Sequence, residues 1–163
     1  EIVLDPFSKE SLLRTYPYPV FHDNAVVVED PLAYLEEHRL PLTKVHGDWN
    51  QPAYPLEELR ALEGLYLTSS NDHDFEVVPA GVDKGVALAQ LAQRYGVPLD
   101  QCAAVGDSDN DLAMLQAAGV PIAMGNASQA VKDLALRVVA DNGQDGVAAA
   151  ILNCLDPKLS PSL

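Results

Sequence analysis

The sequence predicts an α/β fold: a three-layer half-core built on a parallel sheet, with a smaller α+β portion before it. The main observation is that helical and strand-like patterns alternate after residue 83, which is typical of parallel crossover units. A second is a shift in composition. Residues 1–83 hold 16 of the 24 acidic residues and 9 of the 10 aromatic residues, whereas the rest is rich in alanine. The shift predicts two units, 1–79 and 80–155, and a tail over 156–163.

The first unit shows four strand-like segments and two helical ones. Each predicted helix has proline in its first turn, where the missing N–H costs nothing. The last two strands are close enough for NDHD to form a hairpin loop. The predicted strands are 24–29, 42–46, 65–69 and 75–79, and the predicted helices are 31–38 and 55–62.

The second unit begins with a helix over Lys84–Tyr95, with Asp83 as its N-cap and Gly96 as its stop. Three short apolar runs follow, each typical of a buried parallel strand. These strands are predicted at 102–105, 121–124 and 137–140, and the helices between and after them at 109–118, 128–134 (capped by Ser128) and 146–155 (opened by Asp145).

Charge and apolar patterning exclude several classes of protein. The net charge is −14 and no cluster of Lys or Arg occurs, which argues against a nucleic-acid or anionic-membrane surface. No apolar run approaches the length of a membrane span, and no signal-peptide pattern is present. Cys102 and Cys154 lack metal-ligand spacing and are expected as free, buried thiols in a reducing compartment, the cytoplasm.

The hexapeptide GDSDND at 106–111 carries the clearest chemical signal. It follows a predicted buried strand, and ligands of parallel sheets gather at the carboxyl ends of strands. Carboxylates this close repel by about 1 kcal/mol per pair even in water, and a hard divalent cation would offset that. The alternative is that Asp109 only caps the next helix while Asp107 and Asp111 face solvent. A calcium loop is excluded because Leu112 and Ala118 stand where glycine and glutamate are needed.

Lys84 lies in the first turn of a helix that leads into the strand before Asp107. An ammonium group and the helix N-terminus favour an anion, so Lys84 and Asp107 are predicted to share one pocket. A cation and an ammonium around one anion suit phosphoryl transfer. The alternative is a solvated lysine at a helix start.

Residues 75–155, from VVPAGVDKG through VGDSDND and MGNAS to QDGVAAAIL, closely resemble the C-terminal half of haloacid dehalogenase-like phosphatases of the Cof type. The preceding residues resemble the later part of the cap domain. The resemblance implies that Lys84 contacts the phosphoryl group and the nucleophile, and that Asp107 binds Mg²⁺. It implies that Asn110 contacts phosphate, that Asp111 supports the site and that Asn126 borders the phosphate pocket.

One family signature is missing from the sequence. The family's nucleophile lies in a D-x-D-G-T segment after a strand, and the nearest candidate is Asp5 in IVLDPF, where Phe7 and Ser8 replace the second aspartate and the glycine. Asp5 is therefore expected to end a strand and not to act as nucleophile, and Thr68 fits the cap better than the second motif. The nucleophile is expected in an N-terminal segment of about 80 residues, judged from ordinary domain sizes, outside this chain.

The four histidines share no ligand spacing: His22, His38, His46 and His73. HGDW at 46–49 is predicted to be a turn with a packed Trp49, although a substrate entrance is the alternative.

The function implied by the resemblance is a Mg²⁺-dependent phosphomonoesterase that acts on a small phosphorylated metabolite through an aspartyl-phosphate. One alternative is a non-catalytic protein that binds a phosphorylated ligand or a partner; another is an acidic module that binds divalent cations. The incomplete half-core predicts an open sheet face or edge, and hence an oligomer or a complementing N-terminal segment.

Overall fold

The computed structural model describes residues 2–6, 9–10, 23–48, 56–69 and 74–155. The chain divides into two compact units, Glu1–Leu67 with Asp72–Val78 and Thr68–Asn71 with Pro79–Leu163.

The first half contains five strands and two helices with described bounds, and residues 6 and 9–10 are helical as well. Strands β1 (Ile2–Leu4) and β2 (Ala25–Val27) pair in parallel. A separate three-stranded sheet has the order β3-β5-β4, in which β3 and β5 are antiparallel. The bounds are β3 Val45–Asp48, β4 Leu65–Thr68, β5 Asp74–Pro79, α1 Pro31–Glu37 and α2 Leu56–Arg60.

The predicted turn at HGDW is wrong over residues 46–48, because these residues belong to strand β3. His46 pairs with Glu76, and Gly47 pairs with Phe75. A Cβ at Gly47 would lie 2.3 Å from Cζ of Phe75, so the missing side chain leaves room for the buried aromatic ring. This close cross-strand packing extends β3 beyond the predicted end at residue 46. Trp49 and residues 71–73 of the predicted NDHD loop lie outside the described residues, whereas Asp74, which was predicted as the last residue of that loop, begins β5.

Helix α3 (Lys84–Tyr95) begins and ends as predicted. The Asp83 carboxylate accepts a hydrogen bond from the backbone N of Val86 at 2.8 Å, which satisfies one of the free N–H groups of the first turn. Gly96 ends the helix with φ of 67°, a left-handed conformation that glycine adopts without steric cost.

The three predicted strands of the second half are confirmed as parallel, although the last one is limited to Arg137–Val138. Strand β6 pairs with β7, and β7 pairs with β8, both in parallel. Helix α4 packs against α3, β6 and β7, and α6 packs against β6. The bounds are β6 Ala103–Gly106, a 3₁₀ turn Asp109–Asp111, α4 Leu112–Ala117, β7 Val120–Ala123, α5 Gln129–Leu134, β8 Arg137–Val138 and α6 Gly146–Leu155.

The core of this half lies around the central strand β7. Ile122 on β7 and Val131 on α5 are fully buried, and Leu115 on α4 is 1% exposed. Leu115 and Val131 share one apolar cluster with Met124 and the alanines of the sheet and loops. Helix α4 connects β6 to β7. Its packing in this core therefore fixes the positions of the carboxyl ends of the two strands, where the polar residues described below lie.

Substitution of Leu115 by alanine is expected to lower the free energy of unfolding by about 3 kcal/mol, because it removes buried apolar contacts and leaves a cavity. Urea unfolding followed by circular dichroism measures the change. Leu152→Ala is the matched control: Leu152 is 67% exposed on α6, and its truncation should cost less than about 0.5 kcal/mol. Equal losses in the two variants would contradict the assigned core.

Within the described part of the chain, none of the helices has the length and apolar character that a membrane crossing requires.

Candidate functional site

The GDSDND segment lies at the carboxyl end of β6, beside the carboxyl end of β7. Gly106 is the last residue of β6, and Asp107 follows it directly. The loop after β7 is joined to this turn, because the backbone N of Met124 donates to the carbonyl O of Gly106 at 2.9 Å. The backbone N of Ser128 also donates to the carbonyl O of Asp107, at 3.0 Å. Two neighbouring strand ends therefore form one polar surface.

Asp111 is turned into this surface and organises it from within. The residue is 5% exposed, and its Oδ2 accepts hydrogen bonds from the backbone N of Asp107 at 2.9 Å and of Ser108 at 3.3 Å. Ser108 is the N-cap of the 3₁₀ turn and forms a reciprocal capping box with Asp111. A Cβ at Gly106 would lie 2.5 Å from Cβ of Asp111, so glycine is needed for the strand end to lie this close.

Lys84 reaches this turn from the first residue of α3. Its Nζ lies 2.5 Å from Oδ1 of Asp111 and 3.1 Å from Oδ1 of Asn110. The Lys84 side chain is half-exposed, whereas that of Asp111 is buried. The ammonium group thus neutralises a buried carboxylate and still has access to solvent.

Asp107 presents its carboxylate at the surface, with one hydrogen-bond donor on each oxygen. Oδ1 accepts from Oγ of Ser108 at 3.0 Å, and Oδ2 accepts from Nδ2 of Asn126 at 2.8 Å. Each carboxylate oxygen has two lone pairs, so each retains an acceptor direction after these bonds.

The loop after β7 makes two further hydrogen bonds, one to the turn and one to the segment before α6. Oγ of Ser128 lies 3.2 Å from Oδ1 of Asp109. Oδ1 of Asn126 accepts from the backbone N of Asn142 at 3.0 Å, which links this loop to the segment before α6.

The structure thus connects all five residues that the sequence singled out, with the backbone N of Asp107 as the link between the two groups of side chains: Lys84, Asn110 and Asp111 in one, Asp107 and Asn126 in the other. The alternative that Asp109 caps the next helix is wrong, because Ser108 is the N-cap of the 3₁₀ turn and Asp111 is the N-cap residue of α4. Asp111 is not solvated either. Lys84 and the N–H donors offset much of the expected repulsion without a cation. The roles of these residues stay predictions.

Two participants were not predicted. Ser108 was missed although S-x-x-D at 108–111 is a sequence signature of the capping box. The backbone N–H of Asn142 had no such signal, because its partner lies in another loop.

The chemistry of the donor set fits Mg²⁺ at Asp107 as one ligand of an incomplete set. Mg²⁺ is usually bound through one or two carboxylates and keeps several waters, and Asp107 is a partly exposed carboxylate with free acceptor directions. Among the described residues, no group of three or more His, Cys, Asp or Glu side chains is arranged to hold a metal ion. The remaining ligands of a complete site would therefore come from water and from other residues.

The other candidates lie elsewhere. Asp5 follows β1, as expected for a strand end. His38 stacks on Tyr34, and Nε2 of His46 lies 3.5 Å from Oδ2 of Asp74, so these two histidines make unrelated contacts. Cys102 and Cys154 are free as predicted, but the prediction that they are buried is wrong, because both are partly exposed. His22 and His73, together with Phe7 and Ser8, lie outside the described residues.

A family model described as haloacid dehalogenase-like hydrolase matches residues 24–151. The chain therefore belongs to the haloacid dehalogenase-like hydrolase family, as its sequence motifs predicted.

Curated relatives include phosphatases. The chain is 43% identical over 96 residues to the 5-amino-6-(5-phospho-D-ribitylamino)uracil phosphatase YcsE of Bacillus subtilis, a match that covers 59% of this chain and 39% of that protein. It is 43% identical over 97 residues to a phosphoglycolate phosphatase of Pyrobaculum islandicum, covering 59% and 42% of the two chains.

Solved structures of the same family share the fold. A haloacid dehalogenase-like hydrolase from B. subtilis superposes with a TM-score of 0.69 at 33% identity, covering 78% of this chain and 46% of that one. One from Bacteroides thetaiotaomicron gives 0.64 at 34% identity, covering 78% and 48%. The chain thus spans less than half the length of these similar proteins.

Proposed function

We propose that this chain forms the phosphate-binding and metal-binding half of a Mg²⁺-dependent phosphomonoesterase that hydrolyses a small phosphorylated metabolite. One observation carries the proposal: Nζ of Lys84 is held between Asn110 and Asp111, on the turn that presents the Asp107 carboxylate. A fixed cationic group beside a carboxylate that suits a hard cation is an arrangement that stabilises a transferring phosphoryl group. The phosphatase relatives support the same class of substrate.

Each side chain has a proposed task at the site. Lys84 binds a phosphoryl oxygen with its ammonium group, and Asn110 binds another through its amide. Asp107 is the protein carboxylate that holds Mg²⁺. Asp111 keeps the turn closed and fixes the position of Lys84. Mg²⁺, when bound, neutralises the negative charge that the phosphoryl oxygens carry during transfer.

The covalent step needs a nucleophile that the sequence does not supply in the family's D-x-D-G-T pattern. In the proposed reaction the first aspartate of a D-x-D-G-T segment forms a bond to phosphorus while the bond from phosphorus to the leaving oxygen breaks, and the leaving oxygen takes a proton from the second aspartate of the segment. Water then hydrolyses the aspartyl-phosphate to phosphate and the free carboxylate. Lys84 neutralises charge on the phosphoryl oxygens in both steps.

The proposal includes an assignment of the two units. Residues 1–79 are the cap portion and 80–155 the C-terminal half of the catalytic core, which is complemented by a segment that carries the nucleophile, in the same chain or in another. Alternatively, another subunit of an oligomer completes the core. The free cysteines suit a reducing cytoplasm.

A second candidate is a protein that binds a phosphorylated ligand without turnover. The observation in its favour is the absence of D-x-D-G-T from the 163 residues, while the residues proposed to bind phosphate are held in place. A module that only binds divalent cations is a weaker candidate, because it uses Lys84 only to neutralise Asp111 and gives no role to the solvent-accessible side of its ammonium group.

The experiment is a steady-state assay of p-nitrophenyl phosphate hydrolysis at several Mg²⁺ concentrations. The chain alone should show no turnover, because it lacks the nucleophile, and Mg²⁺ should bind to it only in the millimolar range or more weakly, because most protein ligands are absent. Addition of a segment that carries D-x-D-G-T, taken from the reading frame upstream of this chain or from a relative, should restore hydrolysis.

Binding measurements beside this assay separate the candidates. Binding of inorganic phosphate by the complemented protein without hydrolysis would favour the non-catalytic candidate, and Mg²⁺ binding that phosphate does not affect would favour the cation module. Robust turnover by the 163 residues alone, lost in Asp5→Asn, would overturn the proposal and make Asp5 the nucleophile. Lys84→Ala in the complemented protein should lower kcat by about 10²-fold or more, and Lys132→Ala, which removes a lysine of α5, is its charge-matched control.

A further inference from the structure

We propose that Asn126 is a positioning residue that fixes the orientation of the Asp107 carboxylate, and that the backbone N–H of Asn142 fixes the orientation of Asn126 in turn. The inference rests on the proposed function in one respect, the assignment of Asp107 as the metal ligand. It differs from the role that the family resemblance implies for Asn126, which is a place at the border of the phosphate pocket.

The donors and acceptors at the two ends of the Asn126 amide allow one orientation. A carboxylate oxygen only accepts, so Nδ2 must face Oδ2 of Asp107, at 2.8 Å. A backbone N–H only donates, so Oδ1 must face the N of Asn142, at 3.0 Å. A rotation of the amide by 180° would place donor against donor and acceptor against acceptor. The two neighbours therefore select the same orientation of the side chain.

The backbone around Asn142 is itself held against the loop that carries Asn126. The backbone N of Gly125 donates to the carbonyl O of Ala140 at 3.1 Å, and a Cβ at Gly125 would lie 2.8 Å from the N of Asp141. Oδ1 of Asp141 accepts from the N of Gly143 at 2.9 Å, which closes a local turn around Asn142. The backbone N–H of Asn142, which donates to Asn126, thus belongs to a segment that hydrogen bonds hold in place.

The consequence concerns Asp107. With Ser108 on Oδ1 and Asn126 on Oδ2, the carboxylate plane is held from both sides, and only the remaining lone-pair directions are open to a cation. Hydrogen bonds to a metal-binding carboxylate typically change metal affinity by about 10-fold to 100-fold when they are removed. Asn126 is exposed, so its removal should affect this orientation more than the packing of the fold.

The test is a titration of the ¹⁵N-labelled 163-residue chain with Mn²⁺, a paramagnetic cation that takes the same oxygen ligands as Mg²⁺. Broadening of the Asp107 and Ser108 amide signals reports binding without any need for activity. In Asn126→Ala the Mn²⁺ concentration for half-broadening should rise about 10-fold. Hydrogen exchange of the Asn142 amide should become about 5-fold faster, because its acceptor is gone.

Two further variants make the test specific. Gly125→Ala keeps the Asn126 side chain but pushes its loop away from Asp141, so both readouts should change in the same direction as in Asn126→Ala. Gln129→Ala is the matched control, because it removes another amide that donates to an exposed carboxylate, Oδ1 of Asp133 at 2.7 Å, outside the site. Gln129→Ala should leave both readouts unchanged, and the amide signals of α3 should show that every variant is folded.

The outcomes are distinct. An unchanged half-broadening concentration in Asn126→Ala, with selective broadening retained, overturns the positioning role alone. Equal exchange of the Asn142 amide in the wild-type chain and in Asn126→Ala overturns the anchoring by Asn142. A wild-type chain in which Mn²⁺ does not selectively broaden Asp107 and Ser108 overturns the metal assignment of the proposed function and this inference together.

Discussion

Asp107→Asn is expected to lower kcat for p-nitrophenyl phosphate by about 10²-fold or more in the protein complemented by the nucleophile-bearing segment. The substitution removes the negative charge assigned to Mg²⁺. The two hydrogen-bonded contacts can persist, because the amide oxygen of asparagine still accepts from Asn126 Nδ2 and its NH₂ group can donate to Ser108 Oγ, so the loss of charge is the main change. Steady-state rates measured across a range of Mg²⁺ concentrations should show that added Mg²⁺ does not restore the full rate.

Asp109→Asn is the matched control for this change. Asp109 belongs to the same hexapeptide, is exposed and contacts Ser128 Oγ, a donor that the amide oxygen of asparagine also accepts. Its kcat should therefore stay within about 2-fold of the wild-type value, in line with the small effects of most surface substitutions. Equal losses in the two variants would mean that the net charge of the segment matters and that Asp107 has no particular role.

Asp111→Ala is expected to lower the free energy of unfolding by about 3 kcal/mol. The buried carboxylate accepts from two backbone N–H groups and from Lys84, so its removal leaves the N–H groups of Asp107 and Ser108 without an acceptor. Urea unfolding of the 163-residue chain measures the loss through the midpoint at unchanged slope.

Asp133→Ala supplies the comparison for that experiment. Asp133 is an exposed carboxylate on α5 that accepts a hydrogen bond from the side-chain amide of Gln129, and its truncation should cost less than about 0.5 kcal/mol. A loss below about 1 kcal/mol for Asp111→Ala would show that the N–H groups find other acceptors, and the bracing role of Asp111 would then be wrong.

The parts of the fold that were predictable are those with local signals. The N-cap at Asp83 and the stop at Gly96 are read directly from residue type, and both occur as predicted. The three apolar runs of the second half formed the expected parallel strands because each is short, apolar and followed by a turn. The position of β3 was not predictable in this way, because its extension depends on the cross-strand contact between Gly47 and Phe75.

The residues of the candidate site were predictable from the sequence, but the hydrogen bonds between them were not. Residue types and spacing selected Lys84, Asp107 and Asp111, and the structure places all three in one hydrogen-bonded set. The burial of the Asp111 side chain was not predicted from the spacing. A run of acidic residues is usually solvated, and the backbone donors that hold this one cannot be identified from the sequence. The hydrogen bond between Asn126 and Asn142 joins two loops from different βα units, so no local sequence pattern predicts it.

The reciprocal bonds within GDSDND have a consequence for how the site forms. The bonds from Asp111 to the N–H groups of Asp107 and Ser108 span four and three residues, so closing them costs little chain entropy. The contacts with Asn126 and Lys84 join residues 19 and 27 positions apart, and these carry the larger entropic cost of ordering the site. Because contacts between residues close in sequence form faster, we expect the turn that presents Asp107 to close first and the two long-range partners to dock onto it afterwards.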